Sequence, residues 1–157
     1  MKKVLVFLLA FIMILSMSSC SVKEKVTEKV IEEAIGEEVD IDGDTIKVTG
    51  DDGTEVTIGS SEWPSSEIIK QIPEFKDGTI VSVLDSGTYV MIVLEDVDKA
   101  DYEKYEDVIR NDFTNESAEF SMDGVTSYLG MNSDNVYGQV SYNETDNTMT
   151  IIVSEDE

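Results

Sequence analysis

The chain has 157 residues, with 34 Asp and Glu against 11 Lys and Arg, one cysteine, no histidine and a formal net charge of −23. That balance excludes ordinary nucleic-acid binding, whose affinity comes from Lys and Arg neutralising phosphates. The missing histidine removes the commonest general base and the imidazole metal ligand, and a lone cysteine permits no internal disulfide.

The chain begins with the basic Met1-Lys2-Lys3, continues with an unbroken apolar run from Val4 to Leu15, and then turns to small residues in Ser16-Met17-Ser18-Ser19-Cys20. This order predicts a secretory signal peptide over residues 1–19. The apolar run is too short for a spanning helix, which needs about 20 such residues. Met17-Ser18-Ser19-Cys20 resembles the lipobox of bacterial lipoproteins, with Met17 where that family usually has Leu. The resemblance implies cleavage just before Cys20 and a diacylglyceryl group on its thiol. The implied partner is then the membrane, reached through the lipid anchor at Cys20 on the extracytoplasmic face. Two acyl chains meet the requirement for stable anchoring, and a thioether leaves no thiolate for catalysis or metal binding.

Residues 20–38 read as a lipidated helical tether. Val22, Val26, Val30, Ile31, Ala34 and Ile35 recur at spacings of three and four, which predicts one apolar stripe on a helix from Ser21 to Ile35, stopped at Gly36. Such a helix spans about 21 Å. It either holds the domain off the membrane or packs its stripe on the domain.

Residues 39–59 read as a small β-meander. Val39/Ile41, Ile46/Val48 and Val56/Ile58 alternate with polar residues and are expected to face one core, with turns at Asp42-Gly43 and Asp52-Gly53. Asp40-Ile41-Asp42-Gly43-Asp44 has the acidic density of a calcium loop. An EF-hand needs glycine at position 6 and glutamate at position 12; here those positions hold Thr45 and Asp51. A looser calcium site built from Asp40, Asp42 and Asp44, with Asp51 or Asp52, is the metal candidate left by the sequence.

Residues 60–157 read as an α+β domain. Ser65 or Ser66 is placed to cap a short helix through Ile68, Ile69 and Ile72, which Pro73 breaks. Trp63 and Phe75 are the aromatic candidates for a binding surface, set against the commoner fate of such residues in a core. Thr79–Leu84 and Thr88–Leu94 form a hairpin. Asp98 is placed to cap a helix over Lys99–Asn111, with Tyr102, Tyr105, Ile109 and Phe113 buried and Val108 beside them. Ala118–Met122, Thr126–Met131, Val136–Asn143 and Thr148–Ser154 are strands. The expected fold is therefore α+β: an antiparallel sheet of order β-β-α-β-β-β with one main helix on one face, preceded by the helical tether and the small meander.

Beyond Cys20, the segments Ala34-Ile35-Gly36, Val39-Asp40-Ile41-Asp42-Gly43-Asp44, Trp63-Pro64, Ile72-Pro73-Glu74-Phe75 and Gly78 resemble a family of small uncharacterised lipoproteins of Gram-positive bacteria. The family has no assigned activity, so the resemblance implies address and architecture only. Three functions are expected in order. The first is a non-enzymatic binding or structural role in the cell envelope, with an envelope protein or a wall component as partner. The second is divalent-cation binding, with calcium as the cofactor. The third is a carboxylate-based hydrolase, which needs two acids about 5–9.5 Å apart across a cleft; among 34 acids no pair stands out.

Overall fold

The structure is a computed structural model, and it describes residues 37–43, 45–50 and 55–156. The signal segment, Cys20, the tether, Asp44 and Asp51–Asp52 lie outside the described residues.

Nine strands run in chain order: β1 Glu38–Asp42, β2 Thr45–Thr49, β3 Glu55–Ile58, β4 Thr79–Asp85, β5 Tyr89–Glu95, β6 Asn115–Met122, β7 Val125–Met131, β8 Val136–Asn143 and β9 Thr148–Glu155. A 3-10 helix at Ile68–Gln71 lies between β3 and β4, and the helix α1, Lys99–Asp112, lies between β5 and β6. All nine strands form one antiparallel sheet in the order β1-β2-β3-β4-β5-β9-β8-β7-β6.

This corrects the expected fold. The class is α+β, but the meander is not a small module ahead of a separate sheet. It is the first third of a single nine-stranded sheet. Strand β3 pairs with β4 through Thr57↔Asp85 and Ile58↔Leu84, and the Gly59 N–H donates to the Val83 carbonyl at 2.9 Å. The physical reason is the edge. A free β3 would present unpaired N–H and C=O groups beside apolar residues, and pairing with β4 removes that edge.

The core lies on one face of the sheet. Val83, Val90, Ile92, Leu94, Val140, Met149, Ile151 and Val153 alternate along β4, β5, β8 and β9 with half-buried neighbours, and all eight are buried. Each buried aliphatic side chain of this size contributes about 1.5–3 kcal/mol. Helix α1 covers this face over β7 and β8, and the 3-10 helix covers it over β5 and β9. Tyr102, Tyr105 and Ile109 form the buried stripe of α1, whereas Val108 points to solvent, off the stripe. Asp98 is the N-cap residue, but its side chain makes no capping bond; its carbonyl accepts from the N–H groups of Asp101 and Tyr102 at 3.0 Å each. The 3-10 helix likewise lacks a serine cap, and the buried Ser66 hydroxyl has no partner.

The end of α1 is seated by two opposed glycines. Gly130 of β7 pairs with Gly138 of β8, directly beneath Phe113. A Cβ at Gly130 would stand 2.0 Å from the Phe113 carbonyl oxygen, and one at Gly138 would stand 2.8 Å from the Phe113 ring. The same carbonyl accepts the Tyr128 hydroxyl at 2.7 Å. Asn132, a buried polar side chain, organises the neighbouring turn: its Oδ1 accepts from Asp134 and Val136 N–H, and its Nδ2 donates to Gln71.

Candidate functional site

In an antiparallel ladder, residues directly opposite one another point to the same side of the sheet. On the helix side, one row runs from Val83 through Ile92, Ile151 and Val140 to Tyr128. On the other side, a row runs from Ile41 through Ile46, Ile58 and Leu84 to Met91, Ile152, Gln139 and Leu129. None of the helical elements that cover the core lies on this second side.

The register sets the orientation of the meander. Val39, Ile41, Ile46, Val48, Val56 and Ile58 do share one face, but that face is opposite the core under α1. The other face of the meander carries Glu38, Asp40, Asp42, Lys47 and Glu55. The sheet therefore changes polarity along its width. Over β4, β5, β7, β8 and β9 the apolar residues meet the helices; over β1–β3 they point the other way.

The open side has an unusual charge balance for so acidic a chain. Among the described residues, charged groups that reach it lie at its rim: Glu95 at the end of β5, Asp156 near Tyr137, and Glu116, whose carboxylate accepts the Tyr137 hydroxyl at 3.0 Å. That contact also raises the Tyr137 phenol above its ordinary value. The centre of the β7–β9 half carries a small uncharged network, in which Ser141 donates to Ser127 at 2.8 Å and Gln139 donates to Ser127 and Ser141. Around it stand Met91, Ile152 and Leu129, and on the edge strand β6 stand Phe120, 52% exposed, and Met122, 58% exposed. Exposed apolar side chains gathered on an uncharged face are the kind of patch that marks a contact site.

The sequence candidates fall elsewhere. Phe75 is buried in the core, with its ring edge-on to Tyr105 at 5.2 Å, and Trp63 packs half-buried against the same cluster. Asp40 and Asp42 lie on the polar face of β1. Asp40 stands opposite Lys47, whose ammonium bonds Glu55 at 2.7 Å. That bond, then the charge of Glu55 and the more distant Asp40, raise the Lys47 pKa against a small opposing effect of burial. Asp44 and Cys20 lie outside the described residues. Among the described residues, no group of three or more His, Cys, Asp or Glu side chains is placed to hold a metal ion. Glu119 is held below the usual carboxylate range by its bond to Arg110, the only arginine in the chain. Arg110 also bonds Glu106 and lies 4.4 Å over the Tyr128 ring. This cluster clips the edge strand β6 to α1.

The residues of this face on β5, β6, β7 and β9 form no motif in the sequence. Their signal was present as alternation, but alternation does not say which face a helix will cover. In comparisons with known proteins, no family model, no curated protein and no solved structure matches the chain.

Proposed function

We propose that the chain is a lipid-anchored protein of the extracytoplasmic membrane face, without enzymatic activity of its own, whose domain binds an envelope protein through the open side of the β6–β9 half of the sheet. The observation that carries this reading is the uncharged face on which Met91, Ile152 and Leu129 stand around the Ser127, Gln139 and Ser141 network, flanked by exposed Phe120 and Met122, in a chain of net charge −23. Such a face suits an apolar patch on another protein better than a polar wall glycan. The lipobox resemblance at Cys20 supports the address.

The test is affinity isolation from detergent-solubilised membranes with three versions of the anchored chain. Wild type and Val108→Asp, which alters an exposed position on α1, are expected to recover the same partner. Phe120→Asp/Met122→Asp is expected to lose it while keeping the wild-type circular dichroism. Equal recovery by all three versions would remove this face, and no specific partner with wild type would remove the binding reading. Cys20→Ala is expected to release the chain from the membrane fraction.

A further inference from the structure

The sheet ends at β6, and among the described residues no strand pairs with its outer side. Every residue of β6 is exposed, and α1 stands over β7 and β8 rather than over this edge. A long uncovered edge with exposed apolar side chains is a template for another strand.

The register says which backbone groups that edge presents. Asp123-Gly124 is a two-residue turn, so Met122 and Val125 flank it as a hydrogen-bonded pair. The Glu144 N–H donates to the Gly124 carbonyl at 2.9 Å, which gives the same phase from the other side of β7. Bonded and non-bonded pairs alternate along an antiparallel ladder. Ala118, Phe120 and Met122 therefore direct their N–H and C=O groups to β7, whereas Glu119 and Ser121 turn theirs outward. The side chains of Phe120 and Met122 share the open side, and Glu119 lies on the helix side, bonded to Arg110.

We propose that the occupant of this edge is a second copy of the chain, added antiparallel through β6 about a two-fold axis at Phe120. The outward groups meet in few registers. A two-fold at Glu119 sets two Glu119 side chains opposite one another, and a two-fold at Ser121 sets Glu119 opposite Asp123. A two-fold at Phe120 sets Glu119 opposite Ser121, Phe120 opposite Phe120 and Met122 opposite Ala118, with no acid opposite an acid. Like charges directly opposite are destabilising, and aromatic pairs are favourable. The strand is thus complementary to itself in the register that centres its exposed phenylalanine. The joined sheet carries both α1 helices on one side and both open faces on the other. The net charge of each copy opposes the joint, and Arg110 offsets the acid nearest to it, Glu119.

The test is disulfide trapping under mild oxidation, in the full chain carrying Cys20→Ser, in detergent. Salt of about 0.15 M limits the reach of the repulsion to about 8 Å. Ala118→Cys and Met122→Cys chains, when mixed, are expected to bridge, because that non-hydrogen-bonded pair brings Cα atoms to about 4.5 Å. Either chain alone is expected to stay unbridged, since its like positions stand roughly 13 Å out of register, beyond the reach of a disulfide. Ser121→Pro removes an outward N–H that β7 does not use, a change that an edge strand tolerates. It is expected to cut the mixed bridging about tenfold while keeping the wild-type circular dichroism. Equal bridging in mixed and unmixed chains would show chance collision and overturn the proposal. So would absence of bridging in the mixture, or a folded Ser121→Pro chain that bridges as its parent does. Ser121→Pro leaves Phe120 and Met122 in place, so recovery of an envelope partner by this variant is read separately from loss of the dimer.

Discussion

The two ends of the sheet are built from the same residue types and solve opposite problems. In β5, β8 and β9, valine and isoleucine alternate toward α1 and the 3-10 helix, and they are buried to 1% exposure or less at Val90, Ile92, Val140, Ile151 and Val153. In β1–β3 the same alternation faces away from those helices, and apart from Val39 its residues are only half-buried. Pairing alone keeps the two ends continuous, through Ile58↔Leu84 and Leu84↔Met91. A strand pattern sets which residues share a face; what covers that face is set by elements distant in sequence.

The largest effect is expected where the covered end is tightest. Gly130→Ala places a methyl group against the Phe113 carbonyl and forces the end of α1 off the sheet, at a cost of about 3 kcal/mol. Urea unfolding measures it. A loss below about 1 kcal/mol would mean that Phe113 is not seated between the two glycines.

A matched pair addresses the comparison directly. Ile92→Ala empties a site with 0% exposure and is expected to cost about 3 kcal/mol, whereas Ile46→Ala, at a half-buried site of the meander, is expected to cost about 1 kcal/mol. The difference between their urea midpoints is the readout. Equal losses would erase the distinction between the two ends.

The smallest effect at neutral pH comes from the buried phenols, and it grows with alkali. Tyr102 stacks on Tyr142 at 4.9 Å, and its hydroxyl is pushed up to about 12, chiefly by burial, with Glu106 adding to the shift and Thr126 opposing it. Burial raises Tyr105 as well, and its hydroxyl donates to the Pro73 carbonyl at 2.8 Å. Both folded-state values lie above the unfolded value of about 10. The neutral phenols therefore stabilise fully below that pH, and the stabilisation is lost as pH rises through the folded values. Unfolding is expected between about pH 10 and 12, with tyrosinate absorbance rising in step with loss of the β signal. Tyrosinate absorbance reaching its full value before any unfolding would show that these phenols are open to solvent.

Much of the fold is legible in local pattern. The predicted strand Val136–Asn143 coincides with β8, and the other strands differ by three residues or fewer at their ends. Asp123-Gly124 turns β6 into β7 with positive φ at both residues (52° and 83°), as a two-residue hairpin of that composition requires. The helix begins at the expected Lys99. The misses have one cause. Asp98 and Ser66 have the chemistry of caps, but the bonds they make depend on the backbone path and on packing rather than on residue type. Phe75 could stand in a core or on a surface from its sequence alone; the approach of Tyr105, thirty residues later, puts it inside. The open face was not legible, because it is composed of residues from all nine strands that only the ladder brings into rows.

Among the described residues, the strand and helix segments, the Asp123-Gly124 turn, the apolar stripe of α1 and the acidic character of the body are set locally, because each depends on neighbours within a few positions or on a count. Long-range pairing sets the rest: that the meander joins the main sheet, which side of it meets the helices, and where the uncharged face lies. Those outcomes follow from long-range strand pairing: satisfying the free edge of β3 on β4 fixed the register, and with a side-chain period of two, the register fixed the face of every residue beyond it.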